Sequence, residues 1–498
     1  MKTTCRTLRA GLSARWQRDR LPFCTALVIG LMAHGFAFTN KLVNHDEIES
    51  LFGKGATITS GRWGLELVKI LFPDWSMPWL YGLLSLLLIS AAACLMLRIL
   101  NLRSTAMRIL LPALVVGFPS LTGNFCFMFT SAPYAWAFFL AVLAVYVCRW
   151  GKPLRMALSL LLLVLALGIY QAYIAVAATL FLLSMLADAL DNEKPVGEIV
   201  LDGVKALALM GAAIAVYYGV TLLVFRFTGA EFNDYVTDNV NGTVSIPRRI
   251  RMAYDAFFYI FRFRRFSLIT SEALRWLHIL VVPAAIVCMA PQMKKPLQIA
   301  LIVVLTLLLP LSICSMYLIM SDASIHTLVM YGFVCLYFGI GLIVERLEKP
   351  AGGAVRSLFA LLLAVVALGN VYFANKCYLK LKLQYENAYA FYSVLTARVL
   401  STEGFDENTR LALVGRQDNL VHDFPELDTE EFLAISGDLI NVYSRENFLR
   451  FYLGFEFPFA SEEETEKLAQ DPRVLAMAEY PYDGSVQKID EYLVVRLG

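Results

Sequence analysis

Asn44-His45-Asp46-Glu47-Ile48-Glu49 puts three carboxylates within four residues, in a chain of 498 residues of which only 17% are charged. A carboxylate at a membrane surface, partly desolvated beneath a lipid substrate, can accept a proton from a hydroxyl. A little further on, Ser60-Gly61-Arg62-Trp63-Gly64 supplies a guanidinium whose forked donors match phosphate oxygens. Asp46 with Arg62 therefore has the composition of a base and a phosphate clamp, with Glu47 and Glu49 beside the base. The plainer reading is a hydrated acidic loop, and the residues by themselves allow both.

A second constellation is basic. From Arg248 the polar positions Arg248, Arg251, Asp255, Tyr259, Arg262 and Arg265 recur at spacings of three or four, which gathers them on one face of a helix. Ile250, Tyr254, Phe257 and Phe261 take the other face. Such a helix lies in the membrane interface, its apolar side in the acyl boundary and its arginines toward headgroups. The arginines either bind the phosphate of a lipid carrier or simply anchor the loop on anionic lipid, each contributing about 1 kcal/mol.

Polar residues at membrane depth form a third group. Gly168-Ile169-Tyr170-Gln171-Ala172-Tyr173 interrupts two apolar runs. Tyr170 and Tyr173 fit an aromatic belt, while the Gln171 amide needs hydrogen-bond partners there. Asn124, Ser131 and Tyr134, and Asp322 with His326, also fall at helix ends on the same side. His34 reads as a packing residue, and the Asn241-Gly242-Thr243 sequon as chance.

These groups must be positioned by a body that composition assigns to a membrane. Hydrophobic residues make up 58% of the chain, against a charged share well below the roughly 25% of soluble proteins. A hydrocarbon layer about 30 Å thick takes ~20 apolar residues per helix. Charge-poor stretches at 21–39, 78–99, 107–122, 131–149, 155–170, 172–188, 205–225, 273–290, 297–319, 325–344 and 357–375 predict about eleven spans. The first is long for a cleaved signal and lacks a small-x-small site, so it reads as a retained anchor. Lys and Arg in the short loops set the orientation. Residues 1–20 form a cytoplasmic tail with Lys2, Arg6, Arg9, Arg15, Arg18 and Arg20. Arg98, Arg103, Arg108, Arg149, Lys152, Arg155, Lys294, Lys295, Arg346, Lys349 and Arg356 then also fall inside. The outer side receives loops 40–77 and 226–272 and everything from 376 to 498. Loop 226–272 is rich in arginine, but long loops cross largely regardless of charge.

From 376 the chain turns polar. Residues 376–400 have helical spacing, and 411–415 and 492–497 read as short buried strands between acidic segments, which gives a small α/β module. The fold class is thus a polytopic α-helical membrane protein, spanning within 21–375, with a small C-terminal α/β soluble domain at 376–498. The nine cysteines are scattered without a CxxC or Cys/His cluster and read as packing residues. A net charge of +2 is too small to suggest a nucleic-acid partner. No P-loop, GxSxG or HExxH occurs in a usable context.

The acidic cluster after the first span, the many-helix body and the external tail resemble the GT-C membrane glycosyltransferases. Asn44-His45-Asp46-Glu47, Ser60-Gly61-Arg62-Trp63, Gly168-Ile169-Tyr170-Gln171 and the Val494-Val495 strand make the chain most similar to the phage-type, serotype-converting O-antigen glucosyltransferases. That resemblance covers most of the chain. It implies a multi-pass enzyme of the bacterial inner membrane, inverting, that moves a sugar from a polyprenyl-phosphate donor, typically undecaprenyl-phosphate glucose, to a lipid-linked or surface glycan at the periplasmic face. The family's loop-one acid falls on Asp46 or on Glu47, as the base that deprotonates the acceptor hydroxyl. Arg62, Tyr170 and Gln171, Glu49, and Arg248, Arg251, Arg262 and Arg265 fall to substrate binding. No cofactor is expected, although some GT-C enzymes use a divalent metal that these acids could bind; the partners are donor, acceptor glycan and membrane lipids.

Two other enzyme activities, O-antigen polymerase and ligase, share the many-helix body and basic loops without needing acids after the first span. A transporter of lipid-linked glycan would place ionisable residues at mid-membrane and repeat its helix layout. A structural or assembly protein acting through its tail is a further alternative.

Overall fold

The computed structural model of the chain describes residues 2–148, 152–240, 244–262, 271–289, 295–320, 327–347, 352–416, 424–427 and 439–497. Arg149, Arg264, Arg265, Lys294, Asp322, His326, Lys349 and the Asn241-Gly242-Thr243 sequon lie outside the described residues, and of Arg262 only the backbone is described.

Among the described residues, ten helices are long and apolar enough to cross a membrane: Trp16–Thr39, Pro78–Ile99, Thr105–Cys126, Met128–Cys148, Gln171–Asp191, Val196–Thr228, Glu272–Met289, Pro296–Ile313, Thr327–Glu345 and Gly353–Leu400. An eleventh apolar helix, Pro153–Ile169, has 17 residues. Together they fall on the eleven expected stretches, so the chain is a polytopic helical membrane protein. Side chains such as Val28, Leu161, Leu207 and Leu307 are more than half exposed on the outside of these helices. Lipid satisfies such surface at no cost, because the helix backbone is already paired within itself.

Three elements differ in extent from the sequence expectation. The first helix starts at Lys2 rather than near residue 21, and the Asp19 carboxylate near the end of the basic segment accepts from Arg98 Nε at 3.1 Å. The third span is two helices, Thr105–Gly117 and Pro119–Cys126, broken at an extended Phe118. A residue before proline is kept out of the helical region by the proline ring. The last span does not stop near 375: Gly352–Leu400 is one helix of 49 residues. At 1.5 Å per residue it is roughly 73 Å long, more than twice what a bilayer core requires.

A three-stranded sheet follows this helix. Strands β1 (Arg410–Val414), β2 (Val486–Ile489) and β3 (Tyr492–Arg496) lie in the order β1-β3-β2, with β1 parallel and β2 antiparallel to β3. β1 and β3 are the two expected strands. β2 carries no alternating apolar pattern, because only its last residue, Ile489, is buried.

The helical core is aromatic where it supports the turn at 170–173. Phe138 stacks on Tyr331 at 4.7 Å and meets Tyr173 edge-on at 5.5 Å, while Phe118 stacks on Tyr331 at 5.8 Å. Each such ring buries about 150–250 Å², so the turn is seated on a rigid base.

Candidate functional site

The acidic cluster is a short helix, His45–Glu49, started by Asn44. The Asn44 side chain accepts from Glu47 N at 2.9 Å and donates to Cys126 O at 3.0 Å. One buried residue thus caps the helix and ties it to the membrane body, and Asp46 and Glu47 in the first turn suit the positive end of its dipole. The two adjacent carboxylates then part. Glu47 has no exposed side-chain surface; it pairs with Lys41, accepts from Ser76 Oγ, and accepts from Phe129 N at 3.2 Å. Asp46 keeps 47% of its side chain exposed and accepts from the Tyr443 hydroxyl at 2.6 Å on Oδ1, with His45 Nε2 at 4.0 Å. Glu49 accepts from Asn447 Nδ2 at 3.0 Å on each oxygen.

The guanidinium end is assembled by two glycine motifs that interlock. A Cβ on Gly64 would lie 2.7 Å from the Gly168 carbonyl carbon, and one on Gly168 would lie 2.6 Å from the Trp63 ring. Only hydrogen fits at either position, so Ser60-Gly61-Arg62-Trp63-Gly64 presses directly on Gly168-Ile169-Tyr170-Gln171. Gly61 is left-handed, at φ 68°, which turns the chain so that Arg62 meets this surface. Arg62 Nη1 donates to the Tyr134 hydroxyl at 3.0 Å, and its guanidinium lies 5.5 Å from the centre of the Tyr170 ring. Tyr134 and Tyr170 stack at 4.1 Å, forming a flat wall beside the charge. Gln171 Nε2 donates to Ser60 O at 3.0 Å and to the Tyr217 hydroxyl at 2.8 Å. The partners that Gln171 requires at that depth are therefore the loop backbone and a tyrosine.

The same helix, Met128–Cys148, holds both ends. Glu47 bonds the Phe129 amide and Arg62 the Tyr134 hydroxyl, anchor points five residues and roughly 7.5 Å of helix rise apart.

The basic helix runs Ile246–Arg262 and buries Met252, Ala253, Ala256 and Phe257. Its seated stripe is therefore rotated from the one read in the sequence: Ile250, assigned to the apolar face, is exposed. The reason is Arg249, whose Nη1 donates to Leu318 O at 3.0 Å and Ile319 O at 2.7 Å and turns that side inward. Arg248 and Arg251 stay exposed, and Arg251 pairs with Asp255 at 3.5 Å. Arg62, Tyr170 and Gln171 are thus brought together, Asp46 and Glu49 share a second set of contacts, and Arg248 and Arg251 stand on a separate element.

Tyr443, Asn447 and Tyr217 went unmarked in the sequence. Tyr217 lies within a span with no local signal, and Tyr443 and Asn447 lie in a polar stretch of ordinary composition. Burial pushes Glu49 above the usual carboxylate range, with Asn447 opposing the shift and Asp46 adding to it. Burial also raises Glu446 on the facing helix, against Arg450 and Arg445. Burial and the Asp46 charge raise the Tyr443 phenol, which stays a donor. Among the described residues no three His, Cys, Asp or Glu side chains converge as a metal-ligand set.

The family model described as glucosyl transferase GtrII matches residues 35–337, a stretch that contains both ends of this site. No curated protein and no solved structure matches the chain.

Proposed function

Since the chain belongs to the GtrII glucosyl transferase family, we propose that it transfers glucose from a polyprenyl-phosphate carrier to a cell-surface glycan such as O-antigen, at the periplasmic face of the bacterial inner membrane. The observation that carries the reading is that the turn bearing Asp46 and the loop bearing Arg62 are both tied to one helix, through the bonds of Glu47 to Phe129 and of Arg62 to Tyr134. Asp46 is the base, since its carboxylate is open to a substrate whereas Glu47 is enclosed by Lys41, Ser76 and the Phe129 amide.

In the proposed step Asp46 takes the proton of an acceptor hydroxyl as that oxygen attacks the anomeric carbon. The bond from that carbon to the phosphate oxygen breaks on the opposite face, with inversion, and polyprenyl phosphate leaves with the electron pair. Arg62 meets the growing phosphate charge, braced by Tyr134 and Tyr170. One carboxylate suffices for direct displacement, unlike the pair used by most glycosidases. Arg248 and Arg251, exposed on the interfacial helix, hold the carrier phosphate or nearby anionic lipid. The loops 40–77 and 226–272 and residues 376–498 belong to the outer side, with the N-terminus inside.

Mass spectrometry of the surface glycan from cells with and without the gene tests this. A hexose increment present only with the gene is expected; identical glycans in a host that carries donor and acceptor would overturn it.

A further inference from the structure

The C-terminal residues meet the acidic loop through a regular seam. Tyr443, Asn447 and Phe451 are spaced four apart, at the lead-in and along one face of the helix Arg445–Leu453. They touch Asp46, Glu49 and Phe52, which are spaced three apart. Tyr443 bonds Asp46 at 2.6 Å, Asn447 bonds Glu49 at 3.0 Å, and Phe451 meets Phe52 edge-on at 5.4 Å. The Tyr443 ring also stands edge-on to His45 at 5.9 Å.

The seam is braced from behind. The Arg445 guanidinium is buried and donates to Leu413 O at 2.6 Å and to Gly415 O at 2.9 Å, which fixes the helix to β1. Phe448 stacks on Tyr452 at 5.2 Å and packs on Tyr392 of the long helix at 5.5 Å. A tyrosine on so constrained an element can set the direction of the carboxylate that it bonds.

We propose that Tyr443 is a positioning residue for the transfer reaction: its hydroxyl holds Oδ1 of Asp46, so that Oδ2 faces the acceptor hydroxyl. The proposal rests on the reading of Asp46 as the base. The C-terminal segment is in this way part of the catalytic surface.

The test uses the full-length protein in native membranes that carry the acceptor glycan, supplied with polyprenyl-phosphate glucose. Tyr443→Phe keeps the ring against His45 and removes only the bond. It is expected to lower kcat roughly tenfold and to leave the donor KM unchanged. Asn447→Ala opens the same seam without touching Asp46, and is expected to lower kcat far less. Asp46→Asn is measured in parallel. An inactive Asp46→Asn beside a Tyr443→Phe variant with the wild-type kcat would overturn the positioning role alone. Equal losses of kcat in Tyr443→Phe and Asn447→Ala would overturn it too, in favour of a merely structural seam. A fully active Asp46→Asn would instead remove the base, and the proposal with it.

Discussion

Asp46 and Glu47 are neighbours in the chain with opposite surroundings: Asp46 keeps nearly half of its side chain open beneath Tyr443, while Glu47 is fully enclosed against Lys41, Ser76 and the Phe129 amide. The helical turn between them points one carboxylate outward and the other into the membrane body.

Neutralising the two should therefore give different defects. Asp46→Asn is expected to abolish glycan modification with normal insertion and an unchanged melting temperature in detergent. Glu47→Gln removes one partner of a buried ion pair, which costs about 3–5 kcal/mol, so its activity should fall together with thermal stability and expression. Full activity in both variants would exclude a loop-one base.

Arg62→Lys keeps the charge but loses the planar fork and the stacking beside Tyr170. A lost charge-assisted hydrogen bond is worth about 1.5–3 kcal/mol, so the efficiency of transfer is expected to fall roughly 10- to 100-fold. Steady-state kinetics with the polyprenyl-phosphate donor measures this, and an unchanged kcat/KM would argue against a phosphate contact.

Gly64→Ala tests the interlock of the two glycine motifs. Its new methyl would overlap backbone at Gly168, which cannot swing aside as a side chain can. Overpacking of this kind costs about 1–3 kcal/mol, and the displaced Arg62 should lower activity further. Gly53→Ala, where a Cβ meets nothing within 4 Å, is the matched control.

The seam between the loop and the C-terminal helix should tighten in acid. Glu49 faces Asp46 and Asn447, and Glu446 faces Arg450, Arg445 and Glu49; burial raises both glutamates in the docked state. A group that binds its proton more tightly when docked favours docking once protonated, and opposes it as pH rises through the raised value. Docking should therefore strengthen as pH falls toward the ordinary glutamate value of 4.5. Amide hydrogen exchange across 443–453, corrected for intrinsic rates, should slow relative to the sheet strands on going from about pH 8 to about pH 5. Protection that is independent of pH would contradict the assignment.

Much of the molecule is legible from its residues because lipid imposes a simple rule: long apolar runs become helices. The first-loop acids, Arg62 and the glycine motifs stand out because polar and small residues are rare beside such runs. What the sequence conceals depends on distance along the chain. The burial of Glu47 is decided by Ser76 and Phe129, 29 and 82 residues away. Tyr443 reaches Asp46 across 397 residues. The rotation of the basic helix is decided by one arginine finding the carbonyls of Leu318 and Ile319, which no periodicity records.

The helix Gly352–Leu400 has a mechanical consequence. Apolar at its start and packed on the C-terminal aromatic residues at Tyr392, it is a lever whose fulcrum is the bilayer. A helix answers a thinner or thicker membrane by tilting, and about 5° of tilt near the midplane sweeps the far end of this one through roughly 4 Å. That is more than a hydrogen-bond length, so a change of lipid thickness is expected to reach the bond between Tyr443 and Asp46 through this helix.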